Sequence, residues 1–203
     1  MLILLAAKKA GFEIHLMEQQ DLFIDSSTPK AFMSEIHVFN DSEKWFEIRS
    51  QQETALTELD VILMRKDPPF DKEYIYSTYI LEAASKLGVL VVNDPKSLRD
   101  CNEKIFATEF SDCTPPLLVS KNIPLLKKFL HLHQNVVYKP LDGMGGESIF
   151  QVNDQDKNIN VILETLTKFG ARTIMAQKYI PAIKDGDKRI LVVDGKVLSL
   201  IHI

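Results

Sequence analysis

The chain has little cysteine, with two in 203 residues. Cys101 and Cys113 form no Cys-x-x-Cys pair, so neither a thiolate metal clamp nor a disulfide framework is indicated, and we expect buried free thiols. Histidine is also scarce, and only His131 and His133 are close together. They fall in a run typical of a helix, where residues two apart do not share a face. The sequence therefore predicts no metal site among its residues.

Basic excess and long apolar runs are also missing. The formal net charge is −4, which argues against a nucleic acid partner and leaves small anionic ligands as the better fit. No run approaches the roughly 18 apolar residues that suggest a membrane span. The opening stretch 1–7 is short, and its charges follow it, unlike a secretion signal. We therefore expect a cytoplasmic protein with no membrane partner.

The first half of the chain has the pattern of a parallel α/β domain. We predict an opening helix that ends at Gly11, and further elements at strand 12–18, strands 31–39 and 44–49 in irregular chain, strand 61–64, helix 73–87 and strand 89–92. The run 61–64 is continuously apolar, as in a strand that is buried on both faces. This β-α-β alternation predicts a parallel sheet.

Three local signals refine this half. The recurrence of Ile75, Tyr79 and Ala83 at four-residue spacing indicates the helix 73–87, with Gly88 as its C-terminal cap. Ser97 suggests the start of a helix that runs to about residue 110. Arg65 follows the carboxyl end of a predicted parallel strand, where ligands bind in open α/β sheets. It suits either a carboxylate ligand or an ion pair with Asp67.

The second half has a different pattern, which suggests a small α+β domain. We predict strand 117–120, helix 123–133, strand 136–139, strand 148–152, helix 160–169 and strand 173–179. A hairpin follows, with strands 188–193 and 196–200 joined by Asp194-Gly195, a dipeptide typical of a type I′ turn. We place the domain boundary between residues 101 and 102.

The segment Lys139-Pro-Leu-Asp-Gly-Met-Gly-Gly146 joins a strand-ending lysine to a loop with three glycines in four positions. Glycine allows positive φ angles and close backbone approach to an anion, and the ammonium adds positive charge. The same loop also suits a simple chain reversal. A Walker loop is excluded because Glu147-Ser148 follows, and the dinucleotide fingerprint fails because Ser148 stands where glycine is needed.

Four segments together resemble the bacterial glutathione synthetases of the ATP-grasp superfamily over essentially the whole chain. They are Leu63-Met-Arg-Lys-Asp-Pro-Pro-Phe70, Ser97-Leu-Arg-Asp-Cys-Asn-Glu-Lys104, Lys139 to Gly146, and Ala176-Gln-Lys-Tyr-Ile-Pro-Ala-Ile-Lys-Asp-Gly-Asp-Lys-Arg189. The resemblance implies a Rossmann-like pre-ATP-grasp domain over 1–101 and a partial ATP-grasp domain over 102–203. It also implies ATP, with Mg²⁺ or Mn²⁺, and ligation of γ-glutamylcysteine to glycine through an acyl phosphate.

The resemblance also assigns site residues. Lys104 and Lys139 would contact the nucleotide, with Lys139 and Arg189 in catalytic roles, and Arg65 and Arg189 would bind substrate carboxylates or the transferred phosphate. The other implied ATP-binding positions are Gly143, Met144, Gly145 and Gly146 in the lid over the phosphates, Gln177, Lys178, Tyr179 and Ile180 along the adenine, and Asp187 at the ribose. No nucleophilic side chain is required.

The chain departs from the family pattern at both ends. About twenty N-terminal residues are missing from the pattern, and the expected metal ligands would lie beyond Ile203. We therefore expect a fragment of a protein that is a homotetramer when full-length, and we expect the fragment alone to be inactive. Two other functions stay open: another ATP-grasp ligase that joins a carboxylate to an amine, and a non-catalytic ATP-binding remnant.

Overall fold

The computed structural model describes residues 2–66, 69–143 and 145–202. The chain separates into two compact units, Met1–Asn102 and Glu103–Ile203. Both contain helices packed on sheets, which agrees with the α/β class predicted from the sequence. No helix among the described residues is long and apolar enough to cross a membrane.

The first unit contains a four-stranded antiparallel sheet centred on one long strand. Its strands are β1 (His15–Leu16), β2 (Leu22–Asp25), β3 (Thr28–Val38) and β4 (Phe46–Ala55), and the other three all pair with β3. The sequence predicted only parts of β3 and β4 and none of β2. The side chains of β4 are mostly polar and exposed, so the strand lacks the alternation that marks a half-buried strand.

The β-α-β unit predicted for this half is present. Helix α1 (Leu2–Lys9) opens the chain, and β5 (Val61–Leu63) pairs in parallel with β6 (Leu90–Val92) across helix α2 (Lys72–Lys86). However, β5 is not buried on both faces, because Ile62 is 4% exposed whereas Val61 and Leu63 are 43% and 44% exposed. In the described residues the apolar core covers only the Ile62 side of this two-stranded sheet.

Helix α2 matches the helix predicted at 73–87, and its buried face does not follow the spacing of Ile75, Tyr79 and Ala83. Its buried residues are Tyr74, Ser77, Thr78, Leu81 and Ala84, whereas Tyr79 is 51% exposed. The residues with four-residue spacing form a stripe that is displaced by one or two positions from the stripe of buried residues. Ser77 and Thr78 can be buried because their hydroxyls donate to backbone carbonyls. The predicted end of the helix is confirmed, because Gly88 follows it at φ +103°.

The helix predicted to start at Ser97 is wrong in both start and length. Helix α3 (Pro95–Asp100) is capped by Asp94, whose carboxylate accepts from the Ser97 N–H, and two 3₁₀ turns follow at Phe106–Glu109 and Ser111–Cys113. The expectation of buried thiols is also wrong. Cys101 and Cys113 are exposed and free, because both lie where short helical turns end at the surface.

The second unit follows its predicted order closely. Its elements are β7 (Leu117–Ser120), α4 (Ile123–His133), β8 (Asn135–Pro140), β9 (Phe150–Asn153), α5 (Ile159–Thr167) and β10 (Ile174–Lys178). The strands form an antiparallel sheet in the order β7-β10-β8-β9. Every boundary lies within two residues of its prediction.

One face of this sheet packs against both helices. Tyr138 and Val136 of β8 are fully buried there with Ala176 of β10 and with Leu126 and Leu163 of the helices. The Tyr138 hydroxyl donates to the Leu126 carbonyl oxygen at 2.9 Å, so this buried polar group is satisfied. Because strand residues alternate between faces, Lys139 points to the opposite side of the sheet.

The chain continues through a 3₁₀ turn at Pro181–Asp185 into the predicted hairpin. Strands β11 (Lys188–Val193) and β12 (Lys196–His202) pair in antiparallel fashion. Asp194 and Gly195 lie at φ +50° and +71°, which confirms the type I′ signature. Every residue of β11 is exposed.

Candidate nucleotide site

The predicted site centres on Lys139, the penultimate residue of β8. Its direct partner across the sheet is Met175, and Gln177 lies two residues further along β10 on the same face. The Lys139 ammonium donates a 2.9 Å hydrogen bond to Gln177 Oε1. Because both strands also contribute to the apolar core, this ammonium is held at a defined position on the face of the sheet opposite the helices.

Lys104 reaches the same region from the turn that precedes the 3₁₀ turn at Phe106–Glu109. Its Nζ donates to the Gly143 carbonyl oxygen at 2.8 Å and to Glu103 Oε1 at 2.6 Å. The Lys104 side chain is only 14% exposed. A residue 39 positions away in sequence thus holds the first glycine of the loop.

The two lysines are close enough to affect each other. Burial lowers the pKa of Lys139, and the positive charge of Lys104 lowers it further, while Glu103 acts in the opposite direction. Placing two ammonium groups together on a partly buried surface is unfavourable in the absence of an anion. A ligand that carries several negative charges would remove this repulsion.

The glycine loop runs from the end of β8 to the start of β9. Gly145 and Gly146 have φ angles of +68° and +80°, while Gly143 is outside the positive-φ region. At the base of the loop, Arg172 and Asp142 form an ion pair. Two of the glycines are therefore required by backbone conformation, which is the geometry that exposes N–H groups to an anion. Met144 lies outside the described residues.

Beside Lys139 the same face of the sheet is apolar. Val137 lies opposite Gln177, and Met175 and Val119 are direct partners across β10 and β7. Met175 is 2% exposed, whereas Val137 and Val119 are half-buried. An apolar surface that ends in a lysine pair suits a ligand with a flat apolar ring at one end and phosphates at the other.

The remaining predicted ATP-binding residues follow β10. The N–H groups of Lys178 and Tyr179 donate to the carbonyl oxygens of Pro116 and Asn135, at 2.8 and 3.0 Å. An adenine base that binds to this segment would therefore form hydrogen bonds with the backbone carbonyls of the segment or with the N–H of Ile180. Ile180 is 51% exposed. Asp187 is exposed just before β11.

The two predicted arginines lie in different units. Arg65 is the second residue after β5 in the first unit and is exposed, and Arg189 is exposed on β11 in the second. Asp67, the alternative partner of Arg65, lies outside the described residues. The structure thus brings together Lys104, Lys139, Gly143 and Gln177 in one unit. The roles of these residues, like those of Arg65, Arg189 and Asp187, stay predictions.

Three contacts at the site were not predicted: the Glu103 carboxylate on Lys104, the Arg172–Asp142 pair and the side-chain bond from Lys139 to Gln177. The first contact joins neighbouring residues. The other two join residues 30 and 38 positions apart, whose meeting depends on the pairing of strands and loops. Over the described ranges, no group of three or more His, Cys, Asp or Glu residues is placed to hold a metal ion.

Comparison with known proteins agrees with this architecture. The family model for the N-terminal domain of prokaryotic glutathione synthetase matches residues 1–99, and the model for the ATP-grasp domain of the same family matches residues 103–202. The glutathione synthetase of Pseudomonas aeruginosa is 55% identical over 194 residues, which cover 96% of this chain and 61% of that protein. That of Escherichia coli O6:H1 gives the same identity and coverage.

Among solved structures, the D-cycloserine synthetase DcsG aligns with a TM-score of 0.59 at 14% identity, covering 72% of this chain and 53% of its own. That similarity concerns the fold alone. The chain spans about three fifths of the length of the curated relatives that it matches. The two adjacent domain matches and the identity across nearly the whole chain show that it belongs to the prokaryotic glutathione synthetase family.

Proposed function

We propose that this chain provides the N-terminal domain and the nucleotide-binding part of a glutathione synthetase, which joins γ-glutamylcysteine to glycine and consumes ATP. The observation that carries the proposal is the convergence of Lys104 and Lys139 at the glycine loop. Lys104 holds the loop through the Gly143 carbonyl, and Lys139 lies beside an apolar strip of sheet. Membership of the family supplies the reaction.

In this proposal the two lysines bind the phosphates of ATP. The loop 143–146 covers the phosphates and donates backbone N–H groups, and Ile180 packs on the adenine. Lys178 and Tyr179 contribute backbone carbonyls, and Asp187 accepts a hydrogen bond from the ribose. Closure of the loop would exclude water, so the γ-phosphoryl group goes to the substrate carboxylate and not to water.

The chemistry then proceeds in two displacements. The γ-glutamylcysteine carboxylate attacks the γ-phosphorus and ADP leaves, which gives an acyl phosphate. The glycine amine attacks the acyl carbon, loses a proton, and phosphate leaves. Arg65 and Arg189 are proposed to bind the substrate carboxylate or the transferred phosphate, since a guanidinium group matches these oxyanions with two parallel hydrogen bonds.

We also propose Mg²⁺ or Mn²⁺ as the metal that accompanies ATP and neutralises phosphate charge. The described residues do not form a group of ligands for such an ion, so we assign no step to the metal. As in the resemblance, the full-length assembly is proposed to be a homotetramer. Because the reaction consumes ATP, we propose that it takes place in the cytoplasm.

The test is calorimetric titration of the 203-residue chain with ATP. We expect saturable binding that Lys139→Met weakens by about 10- to 100-fold, the range for one charge-assisted hydrogen bond. The matched control is Lys128→Met, which removes an exposed lysine from α4 and should leave ATP binding unchanged. Absence of ATP binding by the unmodified chain would contradict the proposal.

A coupled assay for ADP then separates the three candidate functions. It uses a full-length protein that contains these residues, because the 203-residue chain alone is expected to be inactive. The mixture contains ATP, Mg²⁺, γ-glutamylcysteine and glycine, and parallel reactions contain other amino acids. Turnover that requires γ-glutamylcysteine and glycine supports glutathione synthesis. Turnover with other amino acids indicates a different ATP-grasp ligase, and ATP binding without ADP release indicates a nucleotide-binding module.

A further inference from the structure

The side chain of Gln177 has a defined relationship to the central lysine of the proposed site. Its Oε1 accepts the hydrogen bond from Lys139 Nζ at 2.9 Å, across neighbouring strands and on the face away from the helices. An ammonium group can only donate, so it fixes the orientation of the glutamine amide as well, with the oxygen toward Lys139. The contact thus orders both side chains.

The hydrogen-bond partner of Lys139 is the neutral amide of Gln177, although a carboxylate would bind an ammonium more strongly. A glutamate at position 177 would form an ion pair with Lys139 and cancel the charge that an anionic ligand needs. Glutamine provides the same oxygen at the same reach without a negative charge. The negative group that acts on Lys139 is Glu103, which already bonds Lys104.

We propose that Gln177 is a positioning residue for Lys139, one that fixes the direction of the ammonium and leaves its positive charge available to phosphate. This inference rests on the proposed nucleotide site and assigns to the Gln177 side chain a role that differs from contact with the adenine. It predicts that charge at position 177, and not only side-chain volume, determines nucleotide affinity.

Two substitutions separate these effects. Gln177→Glu keeps the shape and adds a negative charge, and Gln177→Met keeps the approximate volume and removes the strong acceptor. We expect Gln177→Glu to weaken ATP binding about tenfold or more, and Gln177→Met to weaken it by less. Gln155→Glu, which adds the same charge in an exposed turn of the same unit, is the matched control.

The pH dependence of ATP affinity provides a readout that a purely structural role would not change. Affinity should fall at alkaline pH as Lys139 loses its proton. A carboxylate at position 177 favours the ammonium form, so Gln177→Glu should move this fall to higher pH. Gln177→Met removes an acceptor from the ammonium and should move the fall to lower pH. The charged groups that act on Lys139, Lys104 and Glu103, are unchanged in both variants.

A second measurement needs no nucleotide. NMR titration of the Lys139 ε-carbon, assigned by its absence in Lys139→Met, should show a higher pKa in Gln177→Glu than in the unmodified chain or in Gln155→Glu. The same titration should show a lower Lys139 pKa in Gln177→Met, because the ammonium loses its acceptor. That result tests the positioning role even if the chain binds no ATP, an outcome that would contradict only the proposed function.

The inference is overturned if both Gln177 variants bind ATP like the unmodified chain. It is also overturned if both lose affinity equally with unchanged pH profiles, because the residue would then only support the sheet. Near-ultraviolet circular dichroism establishes whether each variant keeps its packing. If Gln177→Glu does not fold, two comparisons of Gln177→Met with the unmodified chain still test the inference. They are the ATP affinity and the NMR titration of Lys139.

Discussion

The ammonium of Lys104 donates a 2.8 Å hydrogen bond to the carbonyl oxygen of Gly143, which connects the turn at the start of the second unit to the glycine loop. Since the Lys104 side chain is only 14% exposed, this bond is largely protected from water. A buried, charged donor on a loop carbonyl is worth more than an average surface contact. Lys104 is therefore placed to hold the base of the loop, in addition to its proposed role in binding phosphate.

We predict that Lys104→Met loosens the loop. Hydrogen exchange in a peptide that spans residues 141–149 should become faster, because the loop base loses a charged anchor. ATP affinity should fall by about tenfold. Lys128→Met should leave both quantities unchanged, and unchanged exchange in the Lys104 variant would show that the bond to Gly143 does not hold the loop.

The loop glycines make a matched comparison possible. Gly145 and Gly146 have positive φ angles, and an added Cβ at either position would meet no atom within 4 Å. Any cost of Gly146→Ala therefore comes from the backbone alone, and we expect about 1 kcal/mol lower stability of the second unit. Chemical denaturation followed by circular dichroism measures it.

Gly143→Ala is the control for that substitution. Gly143 lies outside the positive-φ region, and its added Cβ would have ordinary van der Waals contacts, the nearest at 3.7 Å with Pro140. We expect a change within about 0.5 kcal/mol. Equal destabilisation by the two alanine substitutions would mean that positive φ does not explain the glycine at position 146.

The predictions that succeeded depended on local signals. The second unit was predicted to within two residues because its helices and strands are strongly periodic and have clear ends, such as Asn122 at the start of α4. Lys139 and the glycine loop belong to one short segment and were found together. The pairing of Lys139 with Gln177, 38 residues apart, depends on strand register, which the sequence pattern does not reveal.

The first unit shows the opposite case. Strand β4 is held by its backbone pairing with β3 and by surface contacts such as the Lys30–Glu53 ion pair at 2.9 Å. Its polar side chains are typical of a loop. The backbone pairing with β3 therefore determines that this segment is a strand, although its local propensity does not indicate one.

Tyr138 provides a test of the core beneath the site. Its hydroxyl is buried and donates to the Leu126 carbonyl oxygen, and burial raises the pKa of the phenol. We expect Tyr138→Phe to lower stability by about 1 kcal/mol, with ATP affinity unchanged because the phenol faces the helices. Denaturant unfolding of this variant and of Tyr76→Phe, which changes an exposed tyrosine of the first unit, provides the comparison.

Lys139 itself should lower the stability of the fold. Its pKa is lowered first by burial and then by Lys104, so the folded state disfavours the ammonium form that the unfolded chain holds freely. We expect Lys139→Met to raise the melting temperature at pH 7 by on the order of a few degrees while it removes most ATP affinity.

The sign of the pH dependence follows from the same shift. Between the lowered folded-state pKa and the ordinary lysine value of 10.5, the unfolded chain binds more protons than the folded one, so the stability of the unmodified chain rises with pH through this window. Below this window Lys139 is protonated in both states, and the folded state carries the full free-energy cost of the buried ammonium. The stability gap between Lys139→Met and the unmodified chain should therefore be largest near neutral pH and should narrow toward pH 10. Thermal unfolding from pH 7 to pH 10 measures this gap, and a gap that widened with pH would show that Lys139 is not destabilised by its surroundings.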